Sequence, residues 1–308
     1  MKKTLIALAA VAATGAAFAQ SSVTLYGVAD IGLHKTGQKV QLNSSKTMNN
    51  TASRWGIRGT EDLGGGLKAG FNFEAQLALD DGQTGSNYFG RAAYLTLAGD
   101  FGELSLGRRL NPAFHTAAAW ELTGAAGYSA VVSQFGSVLR GARYDNMIMY
   151  TSPSFSGVTV QFGHVLKGDA GTGAINDLSV RYAQGPLAVA FNYNKQTNVP
   201  GNNKHLGASY DFGGFKVAGA WIDPAGAAKG FAIGGTVKVG TVSLTADFVR
   251  DTKAKDTDFV LEAKYPLSKR TFAYTAYLSD GKKKNGAFNA ANVGKNVNGF
   301  GLGIRHNF

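Results

Sequence analysis

Hydrophobic and polar residues alternate with a period of two along most of this chain, which puts successive side chains on opposite faces of extended strands. From Val23 to His34, Val23, Leu25, Ala29, Ile31 and Leu33 share one face, and Thr24, Tyr26, Asp30 and His34 the other. Ser53 to Thr60 sets Trp55 and Ile57 against Arg54 and Arg58. Lys68, Asn72, Glu74 and Gln76 then alternate with Leu67, Phe71, Phe73 and Leu77. The pattern persists in later strands, down to Phe300, Leu302 and Ile304 against Gly301, Gly303 and Arg305, and the chain ends on Phe308. One face suits hydrocarbon and the other suits water.

The breaks between strands sort by length. Short turns fall at 61–66, 99–102, 152–157, 184–186, 211–214, 239–241 and 266–269. They alternate with longer polar segments at 35–51, 79–87, 110–142, 167–176, 196–203, 223–228, 251–256 and 280–295. Seven turns and eight loops join sixteen strands. Short turns at one end and long loops at the other are the mark of a transmembrane antiparallel β-barrel, and sixteen strands leave an aqueous channel. Aromatic residues near strand ends, among them Trp55, Tyr88, Tyr150 and Trp221, suit an interfacial girdle.

One segment stands apart. Leu110 to Arg143 lacks a strand pattern, is rich in small and apolar residues, carries Trp120, Tyr128 and Phe135, and has Glu121 as its only carboxylate. Loops of this length inside a compact domain are usually functional. Inside a barrel such a loop can fold inward and narrow the passage.

Lys2 and Lys3, the apolar run Leu5 to Ala13 and the small-residue stretch Ala17-Phe18-Ala19 predict a signal peptide over residues 1–19, with the barrel domain over 20–308. The apolar core is too short for a membrane-spanning helix. The chain carries a net charge of +11 and remains basic without its leader. Export and the absence of a basic helix or an aromatic-basic motif argue against nucleic acid as a partner; anionic solutes and lipid headgroups fit better. With no Cys, there is neither disulfide framework nor thiolate site. His34, His115, His164, His205 and His306 show no metal-type spacing, and no Gly-x-Ser-x-Gly elbow is present, so neither metal, cofactor nor enzyme chemistry is expected.

The runs Ser22-Val23-Thr24-Leu25-Tyr26-Gly27-Val28-Ala29-Asp30, Ser53-Arg54-Trp55-Gly56-Ile57-Arg58-Gly59-Thr60-Glu61-Asp62-Leu63-Gly64, Gly99-Asp100-Phe101-Gly102 to Gly107-Arg108, and Gly303-Ile304-Arg305-His306-Asn307-Phe308 resemble the general diffusion porins of Gram-negative outer membranes, in particular their beta-proteobacterial branch. The resemblance spans the chain after the leader. It implies a sixteen-stranded outer-membrane barrel, a homotrimer set in lipid and lipopolysaccharide, the third external loop folded into the lumen, and a terminal Phe308 read by the assembly machinery. It also implies an arginine row facing that loop, at Arg54, Arg58, Arg91, Arg109 and Arg143, with Glu121 opposing it. Loops of the family often carry more acidic residues, and Met149 stands where a polar lumen residue is common.

The resulting expectation is a passive, anion-preferring pore for small anionic or neutral solutes, filtered by charge on Arg. The alternative is a substrate-selective channel for an anion or small organic acid, with Trp120, Tyr128, Arg140 and Arg143 supplying stacking and charge. A barrel with a blocked lumen is a third reading. Adjacent Arg108 and Arg109 cannot both point inward without a bulge, and Arg109 is the expected inward member. Lys35, Lys39, Lys46, Lys253, Lys255, Lys282, Lys283 and Lys284 are candidates for an external anion funnel or for lipopolysaccharide contacts.

Overall fold

A computed structural model describes residues 22–36, 39–45, 47–136, 141–170, 173–226, 228–281 and 297–308. The leader expected over 1–19, Arg140, Lys46 and Lys282 to Lys284 lie outside the described residues.

Seventeen strands form one continuous antiparallel sheet. They are β1 (Ser22–Thr36), β2 (Lys39–Asn43), β3 (Arg54–Gly64), β4 (Leu67–Gln76), β5 (Ala92–Gly99), β6 (Gly102–Leu110), β7 (Arg143–Thr151), β8 (Val158–Val165), β9 (Ile175–Gln184), β10 (Leu187–Gln196), β11 (Asn203–Asp211), β12 (Phe215–Asp223), β13 (Gly230–Val239), β14 (Val242–Asp251), β15 (Asp256–Pro266), β16 (Thr271–Asp280) and β17 (Val297–Asn307). Each wall strand pairs with its sequence neighbour, and β17 returns to pair with β1 from Val28↔Asn307 to Thr36↔Gly299. The wall therefore closes on itself. The wall has the sixteen strands that the alternation predicts.

The extra strand, β2, lies within 35–51, read as one of the long polar loops. Val40 and Leu42 alternate with Lys39 and Gln41, so the chain turns back on β1 as a hairpin. β1 pairs with β3 over Ser22–Val28 and with β2 over Gly32–Thr36, which leaves a gap at Asp30. Serine side chains fill it. Ser53 Oγ accepts from the Asp30 N–H at 2.8 Å, and the Asp30 carbonyl accepts from Ser44 Oγ at 2.8 Å and from Ser53 Oγ at 2.9 Å. A buried backbone amide left unpaired would be costly, so these hydroxyls complete the ladder.

Along the wall, Val23, Leu25, Leu95, Leu106, Leu206, Ile233 and Leu261 are exposed on the outer face, the side that meets hydrocarbon. The inner face carries the polar partners together with Ala190, Ala220, Val249, Val260 and Leu278, all buried. Apolar residues inside a barrel need a cover, and the segment after β6 provides it.

That segment, which lacks a strand pattern, contains two helices, α1 (Pro112–Trp120) and α2 (Ala130–Phe135). Asn111 caps α1 by accepting from the Phe114 N–H at 2.8 Å, and Pro112 opens the first turn, where its missing N–H costs nothing. Ser129 caps α2 by accepting from the Val132 N–H at 3.2 Å. A third, single-turn helix, α3 (Lys167–Ala170), lies between β8 and β9.

At the seam between β1 and β17, Phe308 N–H donates to the Gly27 carbonyl and Gly27 N–H to the Phe308 carbonyl, both at 3.0 Å. The Phe308 ring lies over Gly27, where an added Cβ would run into the ring and into the Arg54 carbonyl oxygen. Gly27→Val is expected to unseat Phe308 at a cost of about 1–3 kcal/mol, lowering the temperature at which the barrel unfolds in detergent gels. An unchanged unfolding temperature would show that the ring does not hold the seam.

Candidate functional site: an arginine wall facing an inward loop

The arginines gather on one side of the barrel. Arg54 and Arg58 lie on β3, Arg91 just before β5, Arg109 near the end of β6, Arg143 at the start of β7, and Arg305 on β17. Glu74 on β4 holds the upper part of the row together. Its Oε1 accepts from Arg91 Nε at 2.7 Å, and its Oε2 lies 3.5 Å from Arg54 Nε and 2.9 Å from the Tyr26 hydroxyl, which donates to it. Arg54 also donates to the Ala52 carbonyl at 2.9 Å, and Arg143 Nε to the Arg91 carbonyl at 2.8 Å. Arg54, Arg91 and Arg143 act on one another electrostatically, and Arg305 acts on Arg54. Fixed acceptors hold like charges side by side.

Lower on the same wall, the Arg58 guanidinium sits 5.1 Å from the Tyr26 ring centre, and Arg109 sits 4.4 Å from that of Tyr94 while bonding Glu103 at 2.9 Å. Aromatic faces attract such cations without neutralising them. The inward placement of Arg109 follows strand parity, because the β-bulge falls on β7: Asp145 and Asn146 together oppose Arg108. Asn146 takes a positive φ of 51° there. Arg108 is held instead by Asp145 at 2.7 Å and by the Gly90 carbonyl at 2.6 Å. Arg305, on the polar parity of the last strand, donates to Asn50 Oδ1 at 2.7 Å and stands over Phe272 at 5.6 Å.

The loop lies against other strands. Helix α1 contacts β8 to β11, and α2 contacts β14 to β16. Thr116 and Ser179 hydroxyls meet at 2.6 Å, His115 bonds Gln161 at 2.9 Å, and the Ala113 N–H donates to Asp177 at 3.3 Å. Trp120 packs onto Gly207 of β11, on the face opposite exposed Leu206; a Cβ at Gly207 would strike the indole. Phe135 seats against Gly230. Tyr128 is fully buried, donating to Glu262 at 2.6 Å and accepting from Asn50 at 2.8 Å. Burial first, then neighbouring Glu262, raise its hydroxyl well above the ordinary phenol range, so it stays a donor.

These contacts correct two expectations and account for one departure. Glu121 does not oppose the arginines: it turns into its own loop, accepting from Thr123 Oγ1 and the Ala125 N–H at 2.6 Å and from Ser129 Oγ at 2.8 Å. Glu74 and Glu103 supply the carboxylates that the arginines meet. Trp120 and Tyr128 are anchors between loop and wall, and buried rings are not free to stack on a solute. Met147 and Met149 join Tyr144, Val165 and Ile175 in a small apolar cluster beside Pro112 at the start of α1, which accounts for methionine on an inner face.

A closed barrel with an apolar exterior, an arginine-lined stretch of inner wall and a loop packed against other strands defines a transmembrane β-barrel channel. The model of the Gram-negative porin family matches residues 4–307, and the chain belongs to that family. Outer membrane porin protein 32 of Delftia acidovorans is 33% identical, the alignment covering 100% of both chains. A Bordetella pertussis outer membrane porin is 32% identical over 72% of this chain and 69% of its own. Among solved structures, an anion-selective porin from Comamonas acidovorans superposes with a TM-score of 0.78 at 29% identity, covering 94% of this chain and 100% of that one. A mutant Rhodopseudomonas blastica porin, 19% identical with a TM-score of 0.71 over 93% of this chain and 100% of that one, shares the fold. The protein is an outer-membrane porin, a water-filled channel for passive diffusion of small hydrophilic solutes and ions.

Two outcomes follow for the loop's seat. Tyr128→Phe removes a buried donor and leaves Glu262 Oε2 to Lys264 at 2.9 Å, which should weaken docking by about 1–3 kcal/mol and raise open-channel current noise. Burial, with Arg181 and Arg109 nearby and despite Gln161, lowers His115 from 6.5 to about 4. Between those values an undocked loop binds a proton that the docked loop refuses, so docking is strongest above 6.5 and weakens as pH falls. Current noise should rise on acidification through that range and lose the dependence in His115→Asn; a pH-dependent rise that persists in the variant would exclude His115 as its source.

Proposed function

We propose that the passage between the arginine wall and the inward loop is the filter of this porin, and that it prefers anions. The observation that carries the reading is the charge imbalance of the wall: Arg54, Arg58, Arg91, Arg109, Arg143 and Arg305 outnumber Asp30, Glu74 and Glu103. Low-dielectric walls focus such a field, and charged rings set selectivity in aqueous pores. Guanidinium groups keep their charge across physiological pH, so the filter is permanent rather than titrating. The loop limits size: its helices cover the inner apolar residues of β8 to β16, and free cross-section is left beside the arginines. The anion selectivity ascribed to the Comamonas acidovorans porin supports the same sign.

Passage of small anionic and neutral solutes and homotrimeric assembly belong to this reading and rest on family membership, and removal of residues 1–19 on export rests on the leader's basic, apolar and small-residue pattern. Single-channel current in a planar bilayer under a salt gradient tests it. The reversal potential should lie on the anion side, with conductance steps in threes. Replacing Arg58 and Arg91 by Ser removes two of the wall's positive charges and should move the reversal potential toward cations; an unmoved potential would falsify the role of these residues.

A further inference from the structure

Below the Glu74-linked arginines, toward the end of the barrel where the short turns lie, the inner wall holds a small polar cavity of about 230 Å³ lined by Arg58, Thr60, Asn72, Tyr94, Thr96 and Glu103. Three properties set it apart from a plain stretch of hydrated wall. Arg58 makes no ion pair among the described residues and touches only the Tyr26 ring, at 5.1 Å, so its donors point at no protein acceptor. Thr60 and Thr96 flank Gly70, whose absent side chain makes the room: a Cβ there would stand 2.6 Å from Thr96 Oγ1 and 3.9 Å from Thr60 Oγ1. Glu103 gives one oxygen to Arg109 at 2.9 Å, and among the described residues no donor meets its other oxygen.

The donors and acceptors are also oriented. The single proton of the Tyr26 hydroxyl is shared between Asn72 Oδ1 at 2.8 Å and Glu74 Oε2 at 2.9 Å, and the Asn72 amide donates to the Tyr94 oxygen at 3.4 Å, which leaves the Tyr94 O–H free to donate outward. The rings of Tyr26 and Tyr94 already carry Arg58 and Arg109, so their occupied faces are not available to stack a flat ligand. A bare anion would be drawn by Arg58 and repelled by Glu103. A ligand with both an anionic head and hydroxyl groups satisfies the whole lining: the head on Arg58, hydroxyls donating to Glu103 and exchanging hydrogen bonds with Thr60 and Thr96. At about 230 Å³ the cavity has room for a small organic acid.

We infer that this cavity is a low-affinity resting site for small polyhydroxylated carboxylates, sugar acids of the aldonate kind, on their way through the pore. The site rests on the anion-preferring reading above, since Arg58 belongs to that wall, and it adds a requirement for hydroxyl groups that a charge filter alone lacks. Occupancy is brief by construction: the cavity opens to the lumen, and passage requires binding weak enough to leave.

The test is current through the purified protein in a planar bilayer, with gluconate, hexanoate or glucose added to chloride electrolyte. Gluconate should reduce chloride current saturably, with hexanoate and glucose each giving at least about tenfold weaker block, because each lacks one half of the recognised chemistry. In Thr60→Val/Thr96→Val, which keeps size and loses both hydroxyls, half-block by gluconate should need about tenfold more solute. Equal block by gluconate and hexanoate, a comparison needing no variant, would overturn the site while leaving anion preference intact. Gluconate current that rises without saturation would do the same. A wild-type reversal potential on the cation side would instead overturn the filter reading, and the site with it.

Discussion

Backbone hydrogen bonding in hydrocarbon is the constraint on which this structure depends. No water is available there to satisfy a peptide group, so a sheet that crosses the bilayer must close on itself. Closure of β17 onto β1 meets that requirement, and the strand period of two then sorts every side chain into lipid or lumen. The one place where the ladder changes partner, at Asp30 between β3 and β2, is repaired by serine hydroxyls. Its carboxylate is likewise engaged, by Asn49, Thr51 and Tyr274.

A closed sixteen-stranded wall is too wide for its own side chains to fill, and that vacancy is where function resides. The long segment after β6 occupies part of it through an apolar core inside the barrel, in which Trp120, Tyr128, Val131 and Phe135 meet Ile222, Val249, Val260, Tyr274 and Leu278. Packing of this kind fixes a loop far better than surface hydrogen bonds do. The loop's helices contact β8 to β11 and β14 to β16, and the arginines stand on or beside β17, β3, β5, β6 and β7.

On that side charge replaces packing. Arg54, Arg91 and Arg143 stay close because Glu74 and backbone carbonyls accept their hydrogen bonds, and Arg58 and Arg109 because tyrosine faces support them. Each device holds a guanidinium in place and, on the proposed reading, leaves net positive potential on the passage. A loop carboxylate opposite would cancel part of that potential; Glu121, folded into its own loop, does not.

Much of this was legible in the residues. The alternation and the length-sorting of turns and loops determine a barrel, its strand number and the inward parity of Arg54, Arg58, Arg109 and Arg305, because each of these follows from local geometry and from the demand that one face meet lipid. Even the two helices had a local sign in Asn111-Pro112 and Ser129, obscured because small residues dominate the segment and no helical period stands out. The partners of Glu121, the burial of Trp120 and Tyr128, the bulge on β7 rather than β6 and the pairing of Glu74 with two arginines were decided by the tertiary structure alone. They depend on which wall the loop lies against, and that is set by contacts between residues as far apart as Tyr128 and Glu262, whose meeting no local pattern encodes.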